Sequence, residues 1–351
     1  MKKQIFVKGI PIGGGAPVTV QSMTDTDTRD AEATLSQIRR LAKAGCDIVR
    51  VALPCRDAVA PLAKIVEESP LPVVADIHFD HRLAIEAVAV GVNKIRINPG
   101  NIGSADRVKA VADACRCASI PIRIGVNGGS LERELLANHG GATASALVAS
   151  ALAQIEMLHR FDFEDICVSL KASDVTTTIE ANRLMRRQAP VPLHIGLTEA
   201  GTLYHGVVKS AVCIGALLHD GIGDTVRVSL TEDVAEEIKA AQAILQALGL
   251  RKGLEIISCP TCGRCQCDVQ ALAKEAQRRL AGCDLPLKVA IMGCAVNGPG
   301  EAREADCGIA GCADGGRVFR YGEIVGKVEQ NRLLDALLEQ IEGLEGRNGT
   351  A

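Results

Sequence analysis

Asp47-Ile48-Val49-Arg50-Val51-Ala52-Leu53 is a short β-branched run with one cation set among apolar neighbours, and the residues around it decide what kind of sheet it joins. Upstream, Leu35, Ile38, Leu41 and Ala42 recur at helical spacing, and Gly45 closes that helix. The same plan then repeats along the chain. Strand candidates rich in Val, Ile or Leu lie at 18–23, 47–53, 72–77, 94–99, 121–126, 165–170, 193–198 and 225–230. Further helical patterns fall near 57–68, 81–90, 105–117, 143–160, 174–188, 204–219 and 233–249. Eight strand and helix units between residues 18 and 249 fit a closed parallel (β/α)8 barrel of the TIM type, whose usual length is about 250 residues. An open doubly wound sheet is the alternative. Against it, no G-x-G-x-x-G turn follows the first strand, and Gly13-Gly14-Gly15 precedes that strand and reads as a turn.

The plan breaks at Leu248-Gly249-Leu250-Arg251-Lys252-Gly253, a linker with helix-stop character. Two domains are expected: a barrel over 1–253 and a smaller α+β module over 254–351. In the second, strand-like 254–258 and 288–292 flank a helix near 268–281, a last helix covers 328–344, and the tail 347–351 frays.

Five strand candidates carry a cation at or near their C-terminal half: Arg50, Arg96, Arg123, Lys171 and Arg227. Strand alternation puts Arg50 opposite Val49 and Val51, and Arg227 opposite Val226 and Val228, so these cations point into the barrel near its mouth. A buried, unpaired cation costs several kcal/mol (roughly), so each needs a carboxylate or an anionic ligand. Asp76, His78, Asn98, Asn127, His194, Glu199 and Ser229 lie at the same strand ends, the face on which such barrels build active sites. Converging arginines suit a diphosphate; ordinary ion pairs with Asp and Glu are the plain alternative. His78 and His194 read equally well as core histidines. His81, His139, His159, His205 and His219 read as helix-face or solvent residues.

Composition narrows the function classes. The chain of 351 residues has no Trp, only 2% aromatics and a net charge of -3, which argues against a nucleic-acid partner. No apolar run of about 18 residues spans a membrane, and the start is too short for a signal-peptide core, so a cytoplasmic protein is expected. In that reducing compartment clustered cysteines read as metal ligands.

Residues 254–351 hold Cys259, Cys262, Cys265, Cys267, Cys283, Cys294, Cys307 and Cys312. Cys259-Pro260-Thr261-Cys262 places two thiolates on one turn of loop, and Cys294 ends the apolar run Val289-Ala290-Ile291-Met292 before Asn297-Gly298-Pro299-Gly300. A zinc ribbon would need a second C-x2-C knuckle. A thioredoxin-like motif would need a helix start. The ferredoxin run, which Cys259, Cys262 and Cys265 nearly match, would need a Cys-Pro at the right spacing. An iron-sulfur site with Cys294 as distant third ligand remains, and Glu301 is the carboxylate just after the loop, equally readable as a surface acid. Cys46, Cys55, Cys115, Cys117, Cys167 and Cys213 read as small buried hydrophobes.

Taken together, Val20-Gln21-Ser22-Met23-Thr24, Val74-Ala75-Asp76-Ile77-His78-Phe79-Asp80, Arg96-Ile97-Asn98-Pro99-Gly100-Asn101, Ile122-Arg123-Ile124-Gly125-Val126-Asn127, Lys171-Ala172-Ser173-Asp174, Gly221-Ile222-Gly223-Asp224 and both cysteine segments closely resemble the bacterial 4-hydroxy-3-methylbut-2-enyl diphosphate synthase family of the non-mevalonate isoprenoid pathway. The resemblance runs nearly end to end. It implies a barrel followed by a cluster domain of the ferredoxin/sulfite-reductase type, one 4Fe-4S cluster, and Cys259, Cys262, Cys294 and Glu301 as its ligands. The implied reaction is reductive opening and dehydration of 2-C-methyl-D-erythritol 2,4-cyclodiphosphate, with flavodoxin or ferredoxin as electron donor. Arg50, Arg96, Arg123 and Lys171 fall on family diphosphate-binding positions, with His78, Asn98 and Asn127 nearby. Glu199 or His194 would handle protons. A homodimer is implied, the barrel of one subunit meeting the cluster domain of the other. Cys265, Cys267, Cys307 and Cys312 stand where many relatives carry other residues, which leaves ligand exchange or a second metal open.

Overall fold

The computed structural model describes residues 3–283, 285–294 and 303–348. They divide into two compact units, Met1–Leu250 and Arg251–Ala351.

In the first unit, β1 (Gln4–Val7) and β2 (Ile10–Gly13) form an antiparallel hairpin. Eight parallel strands follow: β3 (Thr19–Met23), β4 (Ile48–Ala52), β5 (Val73–Asp76), β6 (Lys94–Ile97), β7 (Ile122–Asn127), β8 (Ile166–Lys171), β9 (His194–Ile195) and β10 (Thr225–Val226). They pair in the order β8-β7-β6-β5-β4-β3-β10-β9, and a parallel bridge from Val168 to Leu193 joins the two ends into a ring. The helices are α1 (Ala31–Lys43), α2 (Val59–Glu68), α3 (His81–Ala89), α4 (Pro99–Ile102), α5 (Ala105–Cys117), α6 (Arg133–His139), α7 (Ala144–Arg160), α8 (Val175–Gln188), α9 (Leu203–His219) and α10 (Val234–Ala247). Local chemistry sets their limits. Asp30, Asp174 and Asp233 accept N-terminal backbone N–H groups of α1, α8 and α10, and Gly45, at φ +89°, turns the chain out of α1. β9 and β10 are shorter than the strand patterns at 193–198 and 225–230. At Gly196 the backbone takes φ +152° and lies so close to the Arg227 carbonyl that a Cβ there would stand 2.2 Å from it.

Ordinary hydrophobic burial lies outside the ring of strands. Val49, Val51, Val73, Ala75, Ile95, Ile97, Ile122, Ile124, Val168 and Leu170 pack against Leu35, Ile38, Leu41, Leu62 and Ile65 of the helices. The alternate positions point inward, and apart from a floor they are polar. That floor is where the N-terminal hairpin enters, a feature the short opening run did not announce: Ile5, Val7 and Ile12 pack on Ile48, Val74 and Cys167 at the N-terminal end of the barrel. Above them the interior of most such barrels is filled by branched aliphatic side chains. Here Asp76 occupies it, 2% exposed, taking a hydrogen bond from Arg96 Nη1 at 3.0 Å and an ion pair from Arg50 Nε at 3.7 Å.

In the second unit, β11 (Glu255–Ser258), β12 (Lys288–Met292), β13 (Cys307–Cys312), β14 (Gly315–Arg320) and β15 (Glu323–Val328) form a sheet in that order. The first three strands are parallel and the last two pair antiparallel. α11 (Val269–Arg279) and α12 (Leu333–Asn348) cover it, with Val269, Ala276, Leu333, Leu337 and Ile341 on Val289, Ile291, Ile309 and Val318. The helical pattern read at 328–344 therefore begins later, because Val328 still belongs to the β14–β15 hairpin, and it runs through Asn348, past the start of the tail assigned to fraying. Among the described residues no helix is long and apolar enough to cross a membrane.

Two stability effects follow. Ile12→Ala opens the fully buried floor and should cost about 2–5 kcal/mol in denaturant unfolding. Asp76→Asn strands two buried guanidinium groups and should cost about 3–5 kcal/mol. Burial alone would raise the Asp76 carboxyl, but Arg50, then His78 and Arg96, outweigh it and hold it well below its ordinary 3.8. Its contribution is therefore complete above that value and is lost as pH falls below it. Acid titration of unfolding should show this loss in the wild type and not in Asp76→Asn.

Candidate active site

Inward positions two residues apart on neighbouring strands build one cationic interior. β6 contributes Lys94, Arg96 and then Asn98; β7 contributes Arg123, Gly125 and Asn127; β8 contributes Cys167, Ser169 and Lys171. Register places Arg96 beside Arg123 and Asn127 beside Lys171. Two glycines make room. A Cβ on Gly125 would meet Arg96 Nε at 2.4 Å, and one on Gly196 would meet Lys171 Nζ at 2.9 Å. Arg96 Nη2 instead donates to the Gly125 carbonyl at 3.4 Å.

The charge balance is lopsided. Asp76 serves Arg50, Arg96 and His78, whose Nε2 is 3.4 Å away. Glu237, a buried carboxylate on α10, takes Arg227 Nε at 3.4 Å, Ser22 Oγ at 2.9 Å and the Leu230 N–H at 3.0 Å. The Met23 thioether accepts from Arg50 Nε at 3.0 Å. Among the described residues Lys94, Arg123 and Lys171 have no ion-pair partner. Arg123 Nε and Nη1, Lys94 Nζ, Arg96 Nε, His194 Nε2 and both amide atoms of Gln21 have no hydrogen-bond partner there. Burial and the neighbouring cations depress what can be depressed. Lys171 is pushed well below the usual lysine range by burial, Arg227 and Arg123, and His194 well below the usual histidine range by burial, Arg123 and Lys171. Burial takes Lys94 to about 8, and burial with Arg96 takes Arg123 to about 10, so Arg123 stays charged at neutral pH and His194 stays neutral.

Arg50, His78 and Arg96 thus gather on Asp76 and Arg227 on Glu237, with Arg123 and Lys171 within electrostatic reach of them. Asn98 is buried, and its Nδ2 donates to Ser130 Oγ at 3.2 Å. Asn127 and Ser229 are half-buried at the rim. Glu199 is exposed in a left-handed conformation at φ +56°, whereas His194 is fully buried and 3.3 Å from Thr225 Oγ1. Sequence reading missed Lys94, Gln21 and Glu237. The first two share the inward parity of their strands, a signal that was there to use; Glu237 sits on an amphipathic helix and carried none.

In the second unit, parallel pairing of β11 and β12 brings their C-terminal ends side by side. The Cys259 N–H donates to the Ile291 carbonyl at 3.2 Å, and the Gly293 N–H donates to Cys259 Sγ at 3.1 Å, with Cys294 next in the chain. Cys262 lies exposed in the loop, its thiol pulled down by the backbone and side chain of Arg264. Thiols from a loop and an adjacent strand end are the ligand chemistry an iron-sulfur cluster takes, but among the described residues no three His, Cys, Asp or Glu side chains are gathered closely enough to hold a metal, so Cys259, Cys262 and Cys294 are not brought together as one set. Glu301 lies outside the described residues, as does the loop 295–300. Of the barrel cysteines, Cys46, Cys115, Cys167 and Cys213 are buried as read, Cys55 is half-buried, and Cys117 is exposed at the end of α5, where its helix turns to solvent.

Residues 2–242 match the GcpE TIM-barrel domain and residues 255–343 the GcpE protein C-terminal domain. The chain is 54% identical to 4-hydroxy-3-methylbut-2-en-1-yl diphosphate synthase (flavodoxin) of Geobacter sulfurreducens, over 97% of both chains. It is 53% identical to the protein of the same name from Clostridium perfringens (strain 13 / Type A), over 97% of this chain and 98% of that one. Among solved structures, Yersinia pestis dihydropteroate synthase superposes with a TM-score of 0.50 at 11% identity, over 71% of this chain and 100% of that chain, a likeness of fold alone. With both domains matched in order and about half of all residues shared over nearly the full length, the chain belongs to the GcpE family.

Proposed function

We propose that this chain is the oxidoreductase that opens and dehydrates 2-C-methyl-D-erythritol 2,4-cyclodiphosphate to (E)-4-hydroxy-3-methylbut-2-enyl diphosphate in isoprenoid precursor synthesis, with the diphosphate held in the barrel mouth. The observation that carries the residue assignment is Arg123, 1% exposed, with two N–H groups unpartnered among the described residues and further cations beside it. Such an interior is costly until an anion enters, and a diphosphate presents oxygens to several cations at once.

The overall reaction consumes two electrons and two protons. The ring C–O bond to phosphate and the C–O bond of a hydroxyl break, a C=C bond forms, and water leaves. Cyclic diphosphate becomes terminal diphosphate, which gains an ionisable oxygen. Arg50, Arg96, Arg123 and Lys171 stabilise that added charge in the leaving group, with Asn98, Asn127 and Ser229 on the remaining oxygens and Arg227 held by Glu237. Glu199, exposed at the rim, exchanges protons with solvent and delivers one to the departing hydroxyl; neutral His194 positions the floor of the site. Cys259, Cys262, Cys294 and Glu301 would hold one 4Fe-4S cluster. When bound, it would supply single electrons and Lewis-acid chemistry toward a substrate oxygen.

Flavodoxin, named for the relatives, is the electron donor, and ferredoxin the alternative. The protein works in the cytoplasm as a homodimer whose active site draws on both subunits. Exposed Leu203, Tyr204, Val208 and Val212 along α9 give a second copy an apolar face to cover.

Arg123→Met should weaken calorimetric binding of the cyclic diphosphate about 30-fold or more while leaving iron content unchanged; equal binding would remove Arg123 from the site. Glu237→Gln should raise KM more than it lowers kcat, because it loosens Arg227 without touching substrate. Anaerobically purified protein should be brown, with about four irons and four sulfides per chain. A colourless zinc protein would overturn the cluster assignment. Glu301→Ala should stay brown and lose most turnover.

A further inference from the structure

The loop from Cys259 to Gln266 closes back on the end of β12. The Cys265 N–H donates to the Cys262 carbonyl at 2.9 Å, and the Gln266 N–H donates to the Gly293 carbonyl at 2.7 Å. Gly293 is the floor of that loop, and its missing side chain has a consequence. A Cβ there would stand 2.5 Å from Cys265 Sγ and 3.4 Å from Cys259 Sγ, so both sulfurs border one small space beside a single Cα. Of the other thiols of the segment, Cys267 lies near Cys265 and Cys259 but is turned toward other groups, and Cys262 is turned outward. Cys267 Sγ faces the Met292 carbonyl at 3.7 Å and the Cα side of Gly311, and Cys262 is exposed on the outside of the loop. Cys265 donates to the Cys267 carbonyl at 3.0 Å and has no part in the ligand set argued above.

We propose that Cys259 and Cys265 form a reversible disulfide when the protein is free of its cluster, which keeps a ligand thiol recoverable after oxidative damage. The value of the device rests on reading Cys259 as a cluster ligand; the bond itself does not. A disulfide needs sulfurs about 2.05 Å apart and Cβ atoms roughly 3.5–4.5 Å apart, and a loop already pinned at both ends has little closure entropy left to lose. The oxidant is hydrogen peroxide. Attack by the Cys259 sulfur breaks the O–O bond and forms S–O, giving a sulfenic acid and one water. The Cys265 thiol gives up its proton to solvent, its thiolate attacks that sulfur, S–S forms, S–O breaks, and the departing hydroxide takes one proton back to leave as a second water. Two thiols and one peroxide become one disulfide and two waters. A dithiol reductant returns two electrons and two protons and restores both thiols. Without Cys265 the sulfenic acid proceeds to the sulfinic and sulfonic forms, which thiols do not reverse.

The test uses full-length protein stripped of metal by an anaerobic chelator, treated with hydrogen peroxide, alkylated, digested and mapped by mass spectrometry. The expected product is a Cys259–Cys265 cross-link that a dithiol reductant removes, after which iron and sulfide rebuild the visible absorption of the untreated protein. In Cys265→Ser, and likewise in Cys265→Ala, Cys259 should be recovered as sulfinic or sulfonic acid, and rebuilt absorption should fall several-fold. Linkage of Cys259 to any other thiol overturns the proposal, as does a free Cys265 beside over-oxidised Cys259, or both thiols remaining free under excess peroxide. Because the mapping needs no cluster, its failure is distinct from failure of the ligand assignment, which the iron and sulfide content decides.

Discussion

Repulsion among cations inside a closed ring of strands is the constraint on which the rest of this structure depends. Arg50, Lys94, Arg96, Arg123, Lys171 and Arg227 share an interior where water is scarce, and the carboxylates bonded to them are Asp76 and Glu237. Each carboxylate is tied by several partners, so it fixes the geometry of its arginines as well as offsetting their charge. The remainder of the positive charge stays unmatched among the described residues. That is poor design for a core and good design for a receptor, because an entering polyanion recovers the electrostatic cost already built into the fold.

A barrel can tolerate such an interior only if its stability comes from elsewhere. The aliphatic residues of the strands face outward and pack under the helices, while the N-terminal hairpin seals the bottom with Ile5, Val7 and Ile12. Hydrophobic packing is thereby separated from the cationic interior across the thickness of one sheet. Gly125 and Gly196 belong to the same solution, since they clear space for Arg96 and Lys171 without moving a strand.

The second unit uses strand ends in another way. Parallel neighbours finish at the same edge, so Cys259 after β11 meets Gly293 after β12 although the segments are far apart in sequence. Gly293 serves two ends: its N–H donates to the Cys259 sulfur, and its missing side chain leaves room for the Cys265 thiol beside it.

Alternation of apolar and polar residues is a local property, so the sequence alone was enough to count the barrel units and mark the cations and asparagines that share inward parity. The C-x2-C spacing and the later Cys294 were legible for the same reason. What the sequence could not express is which distant residues meet. The Arg50–Asp76–Arg96 pairing, the reach of Glu237 from a helix to Arg227, and the hairpin floor depend on strand register and ring closure. The burial of His194 and the exposure of Glu199, which spacing left equivalent, come from where the chain leaves β9 at Gly196. Local pattern determines which way a side chain points; only tertiary structure, by bringing strands into register, decides what it finds there.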